Sequence, residues 1–448
     1  MTRTVVMWFR RDLRLADHRA LEAAAADGQR VVALFVVDPA FARSGAPRRA
    51  FMAAALHSLN DSVGGALVYR CGRPHEVLPA LAKEVGAAAV YATRDHAPYG
   101  RDRDAAVAAA LRAIDVALVG VDSNYAVMPG TVRKGDGTPY AVFTPFSRAW
   151  RAHGWETPQA APDVRWLGTP AVASEAPPAT TTSVLLPPAT EAAQHERWEA
   201  FLPEVRHYRE CRDLPALDGT SRLSAALRWG LVHPRQLLAE LQSSPGDDTF
   251  GSELGWREFY ADVLLRAPDS GWHNVNSAMD AMPVDTDAAA RDRFQRWAVG
   301  TTGYPIIDAG MRQLLTTGWM HNRVRMLVGS FLVKDLHLPW QWGARHFLGH
   351  LVDGDLASNS HGWQWVAGTG TDASPYFRIF NPTTQALRFD PDGEYVRRWV
   401  PELATIGGGA VHDLGLLRPE GYPAPMVDHA AERDEAMARY RSSRAGSR

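Results

Sequence analysis

Acidic, aromatic and guanidinium side chains recur at helical spacing in the second half of the chain. In residues 253–260, four of them follow i, i+3, i+4 and i+7 and share one helix face: Glu253, Trp256, Arg257 and Tyr260. Such a stripe makes a poor hydrophobic core. It indicates either the wall of a polar pocket with an aromatic platform or a salt-bridged surface helix, and spacing alone favours neither.

A second stretch, Thr220–Ser224, offers hydroxyl groups and an arginine just before a helical run. Hydroxyls and free backbone N–H groups at a helix N-terminus bind anions such as a diphosphate. Serine and threonine are also the preferred N-cap residues. Taken alone, the stretch is therefore interpreted as a helix cap.

A third stretch surrounds Asn322. On a helix, Asn322, Arg325 and Met326 fall on one face, while Arg323 points elsewhere. The arrangement predicts a polar face with one guanidinium group in it.

Two carboxylates, Asp353 and Asp355, flank a glycine shortly before the triplet Trp363–Trp365. No other acidic cluster completes an oxygen cage for a metal ion, so we expect a partner such as Arg325 and no metal. The Trp-Gln-Trp sequence at 363–365 is interpreted, on its own, as part of an aromatic core.

The elements that must position these residues differ between the two parts of the chain. Continuous apolar runs alternate with alanine-rich helical stretches in the first third, which predicts a doubly wound parallel sheet covered on both faces. Ligands of such sheets bind at the carboxyl ends of the strands. The predicted strands are Val5–Phe9, Val31–Val37, Ala66–Tyr69, Ala87–Tyr91 and Val116–Val119.

Beyond about Glu191, helix signals replace strand signals, which predicts an all-α C-terminal domain after the α/β N-terminal domain. Residues 168–190 are rich in Pro, Thr and Ala and read as an extended linker. The predicted boundaries are 1–130 for the α/β domain, 131–195 for the linker and 196–448 for the helical domain.

Composition excludes several classes of protein. The 448 residues carry 48 basic and 50 acidic side chains, a net charge of −2, so any nucleic-acid site must be a local patch. No apolar run is long enough to span a membrane, and no signal peptide is evident. Two cysteines, Cys71 and Cys211, predict a reducing, cytoplasmic setting and exclude a zinc ribbon. The absence of a Gly-Lys dipeptide excludes a P-loop.

Several stretches, in this order, resemble the DNA photolyase/cryptochrome family, in particular class I cyclobutane pyrimidine dimer photolyases. The similarity runs from Trp8–Arg14 to Gly421–Pro425, essentially the whole chain. The stretches that carry it are Tyr208, Thr220–Ser224, Trp256–Tyr260, Thr302–Ile306, Trp319–Met326, Asp353–Trp365 and Tyr376–Pro382.

The resemblance implies a folded FAD in the helical domain, with Arg325 and Asp353 paired beside its ring and Asn359 close to flavin N5. A guanidinium group there stabilises the reduced, anionic flavin. Phe250 stands where the family often has tryptophan. The implied FAD-binding residues are Tyr208, Thr220, Ser221, Arg222, Leu223, Ser224, Phe250, Arg257, Asn322, Arg325, Asp353, Asp355 and Asn359.

The implied partner is damaged DNA, bound by a monomer with no membrane involved. The resemblance implies blue-light-driven electron transfer from reduced FAD to a flipped-out pyrimidine dimer, splitting of the cyclobutane ring and return of the electron. The implied catalytic residues are Glu253, Asn322, Met326, Trp256 and Trp365.

The family also uses a tryptophan chain that carries electrons to the flavin. Trp363 and Trp340 match its inner and middle members, and Asp287 falls in the place of the outer one. Trp272 and Trp297 remain open as substitutes.

An antenna pigment is implied for the N-terminal domain. Residues 94–104 resemble those of deazaflavin-binding members, whereas members that bind methenyltetrahydrofolate have Asn-Glu in place of Tyr99-Gly100. Asp95, Arg48 and Arg228 are placed around an 8-hydroxy-5-deazaflavin-type pigment, although Arg228 replaces a typical lysine. A domain with no second chromophore is the remaining alternative.

Three rival functions stay open. A cryptochrome-type photoreceptor would lose the repair residues or add a long C-terminal tail. An enzyme for the six-four photoproduct commonly has histidine where Met326 stands. A light-independent nucleic-acid-binding flavoprotein would show no light dependence.

Overall fold

The computed structural model describes residues 2–372 and 378–445, so Tyr376 and Phe377 of the last motif lie outside the described residues. The chain forms two compact units. The first comprises Met1–Thr182, Leu186–Pro203 and Ser221–Pro268, and the second comprises Ser183–Leu185, Glu204–Thr220 and Asp269–Arg448.

The first unit contains a five-stranded, fully parallel sheet in the order β3-β2-β1-β4-β5. β1 is buried along its whole length, as a strand covered on both faces must be. This confirms the predicted doubly wound α/β architecture. The strands are β1 Thr4–Phe9, β2 Arg30–Val37, β3 Val68–Cys71, β4 Ala87–Thr93 and β5 Ala117–Val121.

The rest of the regular structure is helical. In chain order the α-helices are α1 Arg19–Asp27, α2 Ala46–Ser62, α3 Pro74–Val85, α4 Pro98–Arg112, α5 Phe143–His153, α6 Glu191–Phe201, α7 Tyr208–Cys211, α8 Ser224–Trp229, α9 Pro234–Glu240, α10 Pro245–Arg266, α11 Ala288–Val299, α12 Pro305–Thr317, α13 Asn322–Ser330, α14 Trp340–His350, α15 Leu356–Ala367, α16 Pro382–Phe389, α17 Glu394–Trp399 and α18 His429–Ala445. A π-helix, Phe331–Asp335, continues α13. Short 3-10 segments are Pro39–Arg43, Leu202–His207, Pro268–Gly271, Ser277–Met279, Pro401–Leu403, Gly408–His412 and Gly415–Leu417.

Part of the predicted linker packs on the sheet. Val31 of β2 pairs with Trp166, and its backbone carbonyl accepts a hydrogen bond from the Leu167 N–H at 2.8 Å. α5 also falls in this segment, and residues 221–268, which include α8 to α10, share the compact unit of the sheet. The boundaries at 130 and 195 stay predictions.

The second unit is helical throughout its described residues, and its core lies among α11 to α17. A buried acid ties distant parts of this unit together. Asp308 accepts hydrogen bonds from the Thr302 N–H at 2.7 Å, the Gly303 N–H at 3.0 Å and the Tyr422 hydroxyl at 2.6 Å. Gly303 has a φ of 80°, and a Cβ there would lie 2.3 Å from the Ala424 carbonyl oxygen, so only glycine fits.

None of the helices in the described ranges, 2–372 and 378–445, is both long and apolar enough to cross a membrane.

Candidate functional site

The stretch around Glu253 is helical, as its spacing predicts, and belongs to α10. The helix starts with a capping box. The Ser244 hydroxyl accepts from the Asp247 N–H at 3.1 Å, and the Asp247 carboxylate accepts from the Ser244 N–H at 3.0 Å. Pro245 occupies the first turn, where its missing N–H costs nothing.

The polar stripe of α10 is only half-buried, whereas the opposite face, with Leu254, Glu258 and Phe259, is buried. Nη1 and Nη2 of Arg257 donate to the backbone carbonyls of Asn124 at 2.8 Å and Leu227 at 3.1 Å. Among the residues described, Arg257 forms no ion pair. The Arg257 guanidinium is therefore engaged by backbone carbonyls, and the choice between a pocket wall and a salt-bridged surface helix stays a prediction for the stripe as a whole.

Arg257 therefore braces two neighbouring segments. Its guanidinium also lies 4.4 Å from the centre of the Tyr125 ring, which is a cation–π contact. Through these contacts it links α10 to the loop after β5 and to the C-terminal part of α8. Its predicted proximity to FAD stays a prediction.

Glu258, on the buried face of α10, was missed by the sequence reasoning. Its carboxylate accepts from the Ala126 N–H at 2.5 Å, the Val127 N–H at 3.1 Å and the Trp150 Nε1–H at 2.5 Å. Burial raises the pKa of Glu258 to about 7 against the opposing effect of these donors. An acid on the apolar face of a helix was the available signal.

The N-cap residue of α8 is Leu223, whose side chain has no polar atom, so the interpretation of the stretch as a hydroxyl cap is wrong. The Ser221 hydroxyl instead accepts from the Leu223 N–H at 3.4 Å, next to Arg222, whose φ is 52°. Within residues 2–372 and 378–445, the buried Ser224 hydroxyl has no hydrogen-bond partner. A buried orphan hydroxyl fits a bound polar group such as the diphosphate of FAD.

Phe250 is 5% exposed and packs on Trp198 with ring centroids 5.2 Å apart. In the first unit it therefore belongs to an aromatic layer between α6 and α10. Its implied contact with FAD stays a prediction.

In the second unit, Arg325 and Asp353 form the ion pair that the resemblance implies, with Nη2 and Oδ2 2.8 Å apart. The Asp353 side chain is 3% exposed, and its Oδ1 is buried without a partner among the described residues. Arg323 points elsewhere, as predicted, and pairs with Asp213 at 2.6 Å. A buried carboxylate oxygen that lacks a donor fits a flavin ring that would bring an N–H group.

α15 carries the next predicted residues on one half-exposed face. Asp355 caps the helix by accepting from the Ser358 N–H at 3.1 Å. Asn359 Nδ2 donates to the Ala344 carbonyl at 3.1 Å, which fixes the plane of the amide. Trp365 is half-buried on the same side, and a Cβ at Gly362 would meet no atom within 4 Å. This open, polar face has the character that a flat ring requires.

The remaining predicted residues of this unit lie on other elements. Asn322 is exposed at the first position of α13, and Met326 is half-buried one turn later. Tyr208 is buried at the start of α7, and Thr220 is half-buried in the loop that follows it.

The predicted tryptophan chain lies in the core of the second unit. Trp363 packs edge-to-face on Trp297, with ring centroids 6.1 Å apart, and its Nε1–H is buried without a partner. Trp340 is 4% exposed and donates from Nε1 to Asn274 at 2.8 Å. Asp287, which falls in the sequence place of the outer member, is exposed and caps α11.

The two open substitutes differ in exposure. Trp297 is fully buried, whereas Trp272 is half-buried with the Arg345 guanidinium 5.0 Å from its ring. Of the two candidate substitutes for the outer tryptophan, Trp297 contacts Trp363, and Trp272 is partly exposed to solvent.

Asp95 follows β4, at the carboxyl edge of the sheet. It pairs with Arg11 at 3.1 Å and Arg103 at 3.4 Å. Burial on its own raises the pKa of Asp95, but the positive charges of the neighbouring arginines lower it by a larger amount. The net pKa lies below the ordinary value, so the carboxylate stays ionised. A Cβ at Gly100 would lie 2.2 Å from the Asp95 Cγ, so glycine makes room for this carboxylate.

Arg48 and Arg228, the other predicted antenna residues, also belong to the first unit. Arg48 is 9% exposed on α2. The Arg228 guanidinium lies 5.2 Å from the Trp229 ring, which contacts Phe41 edge-to-face at 5.5 Å. The Trp229 Nε1–H is buried and finds no acceptor in the part of the chain that the structure describes. An aromatic pair with an orphan donor fits a second planar ligand.

Comparisons with known proteins bear on both units. Residues 5–163 match the family model described as DNA photolyase, and residues 250–442 match the FAD binding domain of DNA photolyase. The chain is 38% identical to the deoxyribodipyrimidine photo-lyase of Escherichia coli over 474 residues, covering 99% of each.

Two solved structures are similar over nearly the whole chain. A bacterial class III photolyase from Agrobacterium tumefaciens has a TM-score of 0.89 at 34% identity, with 99% of this chain and 98% of that chain covered. A Synechocystis cryptochrome has a TM-score of 0.90 at 28% identity, with 97% and 98% covered. The full-length identity to photo-lyases, together with the two matching family models, shows that the chain belongs to the DNA photolyase family.

Proposed function

We propose that this protein is a blue-light-dependent deoxyribodipyrimidine photo-lyase that repairs cyclobutane pyrimidine dimers in DNA. The observation that carries the proposal is the Arg325–Asp353 pair, whose carboxylate keeps one buried oxygen unpartnered just before the open polar face of α15. Such a site suits a flavin ring. The full-length identity to enzymes of that name supports the reaction.

A bound FAD, reduced and excited by light, would supply the electron that opens the cyclobutane ring. In the second unit, Asp353 holds the Arg325 guanidinium, which would stabilise negative charge on a flavin ring. In the first unit, Ser224 and its neighbours would hold the diphosphate. Asn359, with its Nδ2 engaged by Ala344, presents the carboxamide oxygen and the second N–H to the flavin edge.

By the resemblance to the family, residues of each unit would contribute to substrate binding. In the first unit, Glu253 would accept from a pyrimidine imide N–H and Trp256 would stack on the lesion. In the second unit, Trp365, Asn322 and Met326 would contact it. A dimer is poorly stacked and paired, so flipping it out of the duplex costs less than flipping normal bases.

The test illuminates the reduced protein with an oligonucleotide that contains one thymine dimer, beside a sample kept in the dark. We expect dimer loss only in the light, and a strong reduction in the Glu253→Ala variant. Undiminished dimer content under blue light would contradict the proposal and favour the cryptochrome-type photoreceptor, whose fold is equally similar. Loss of dimers in the dark would indicate a light-independent flavoprotein. A parallel oligonucleotide with a six-four photoproduct tests that specificity.

We further propose that the enzyme is a monomer of class I, because its motifs most resemble that class. Sedimentation at working concentration tests the monomer. Cytoplasmic location and the absence of a catalytic metal also stay proposals.

Electron supply to the flavin would run through Trp363, with Trp340 as the next member. The contact between Trp363 and Trp297 supports Trp297 as a substitute relay, since the Asp287 position carries no ring. Trp363→Phe should abolish light-driven flavin reduction in the presence of an external donor, as followed by flavin absorbance. Comparing Trp340→Phe with Trp297→Phe then shows which branch carries the electron.

The second chromophore would bind in the first unit, where Asp95, Arg48 and Arg228 supply charge and Trp229 supplies an aromatic wall. We propose an 8-hydroxy-5-deazaflavin-type pigment over methenyltetrahydrofolate, because Tyr99-Gly100 stands in place of Asn-Glu. The absorption spectrum of the purified protein tests this choice. A protein with flavin bands alone would contradict it.

A further inference from the structure

The ring of Phe143 lies flat on the indole of Trp256. The two ring centroids are 3.8 Å apart and the planes differ by 12°, the only parallel stack that Trp256 makes among the described residues. Phe143 is 9% exposed, whereas Trp256 is half-buried. One face of the indole is thus covered by protein.

The close approach of α5 to α10 makes this stack possible. A Cβ at Gly255 would lie 3.4 Å from the Trp150 ring and 3.6 Å from the Phe143 ring, which are van der Waals distances, so both rings of α5 pack close to the α10 backbone at this point. At the other end of α5, Arg151 donates to the Asp248 carbonyl at 2.7 Å and to the Ser252 hydroxyl at 3.2 Å. Both ends of α5 are therefore fixed to α10.

A half-buried tryptophan without such support samples several rotamers, and ordering it on binding costs free energy. A stacked partner fixes the indole plane before the ligand arrives, and aromatic pairs of this kind contribute beyond their buried area. Because Phe143 covers one face of the Trp256 indole, a base can stack only on the part of the indole that Phe143 leaves uncovered.

We propose that Phe143 is a positioning residue for the lesion: it holds the plane of Trp256 so that the indole is ready to stack on a flipped-out pyrimidine dimer. This inference rests on the proposed function. It assigns a role in substrate binding to α5, a helix inside the segment whose sequence predicts a linker.

The test measures, in the dark, the affinity for an oligonucleotide with one thymine dimer and for its undamaged counterpart. Phe143→Leu should weaken binding of the dimer about two- to tenfold and leave undamaged binding unchanged, since a stacked pair is worth a modest free energy. Phe143→Tyr keeps the ring and should restore the affinity. Phe143→Met replaces the ring with a flexible chain of similar size, in case the leucine variant does not fold.

Phe146 provides the matched control. It lies on the same helix, is 2% exposed and packs on Phe259 at 5.2 Å. Phe146→Leu should lower the melting temperature but keep the ratio of the two affinities. If Phe143→Leu and Phe146→Leu behave alike, Phe143 is ordinary core and the inference is overturned.

A double-mutant cycle separates positioning from general damage. In a Trp256→Leu background, Phe143→Leu should have no further effect on dimer affinity, whereas additive losses would overturn the inference. The wild-type protein decides the underlying function separately. Equal affinity for damaged and undamaged DNA would overturn the proposed repair activity, and this inference with it.

Discussion

Asp353 has one paired and one unpaired carboxylate oxygen in a nearly buried position. Replacement by asparagine keeps the shape but removes the charge that holds Arg325 at 2.8 Å. Breaking a buried, charge-assisted hydrogen bond costs about 1.5–3 kcal/mol. We therefore expect Asp353→Asn to lower flavin affinity roughly tenfold or more, measured as the flavin-to-protein absorbance ratio after dialysis.

The control for this prediction is Asp213→Asn, which removes a similar pair with Arg323 at 2.6 Å. The Asp213 side chain is 32% exposed, and exposed pairs contribute little. Equal flavin loss in the two variants would show that the Asp353 charge has no special role.

Lys334 lies buried in the π-helix and donates a hydrogen bond to the backbone carbonyl of Arg378. Burial lowers the pKa of Lys334 to about 7 from an ordinary 10.5. At a pH between these two values, Lys334 is protonated in the unfolded chain and neutral in the folded chain. The free energy of unfolding therefore rises with pH across this range, by up to about 1.4 kcal/mol per pH unit.

We expect Lys334→Met to remove this rise, seen as a smaller difference in melting temperature between pH 7 and pH 9. Lys83→Met changes an exposed lysine on α3 and should leave the difference unchanged. If the melting temperatures of the wild type and of Lys334→Met change by the same amount between pH 7 and pH 9, the expectation is contradicted.

At the scale of elements, two of the acidic residues of α10 have different roles. Glu258 faces three N–H donors in the first unit, so Glu258→Gln points an amide N–H at one of them. We expect a loss of about 1–3 kcal/mol in unfolding free energy, measured by urea denaturation. The Glu253→Gln variant, half-exposed on the same helix, should keep its stability and lose dimer affinity.

The helices that carry the site were predictable because unlike groups share one face. Glu253 with Trp256, and Asn322 with Arg325, lie where their spacing placed them. α5 was missed, although Phe143, Phe146 and Trp150 follow i, i+3 and i+7 and are all buried. Their helical periodicity lies in the predicted linker, residues 131–195, which was assigned from the Pro-rich composition of residues 168–190.

Other features depend on residues far apart in the chain. Glu258 binds Ala126, 132 residues away, and local periodicity carries no information about such a partner. The hydroxyls of Thr220–Ser224 misled for a related reason. Capping preference is local, whereas the turn at Arg222 depends on the surrounding fold.

At the scale of the whole molecule, the near balance of charges limits non-specific attraction to DNA. With a net charge of −2, phosphate contacts must come from a few local arginines. We expect the logarithm of DNA affinity to fall linearly with the logarithm of salt concentration, with a slope of about 0.9 for each phosphate contacted. Filter binding at salt concentrations from about 50 to about 200 mM measures this slope. A flat response would show that phosphates contribute nothing.

The contact between Asp308 and Tyr422 bears on how the chain is made. The Asp308 carboxylate lies in the core of the second unit, and one of its donors is 114 residues further along. A ribosome must release that later segment before the acid has all its partners, so this core closes only late in synthesis. Nascent chains stalled before Tyr422 should therefore expose the second unit to proteases that spare the finished protein.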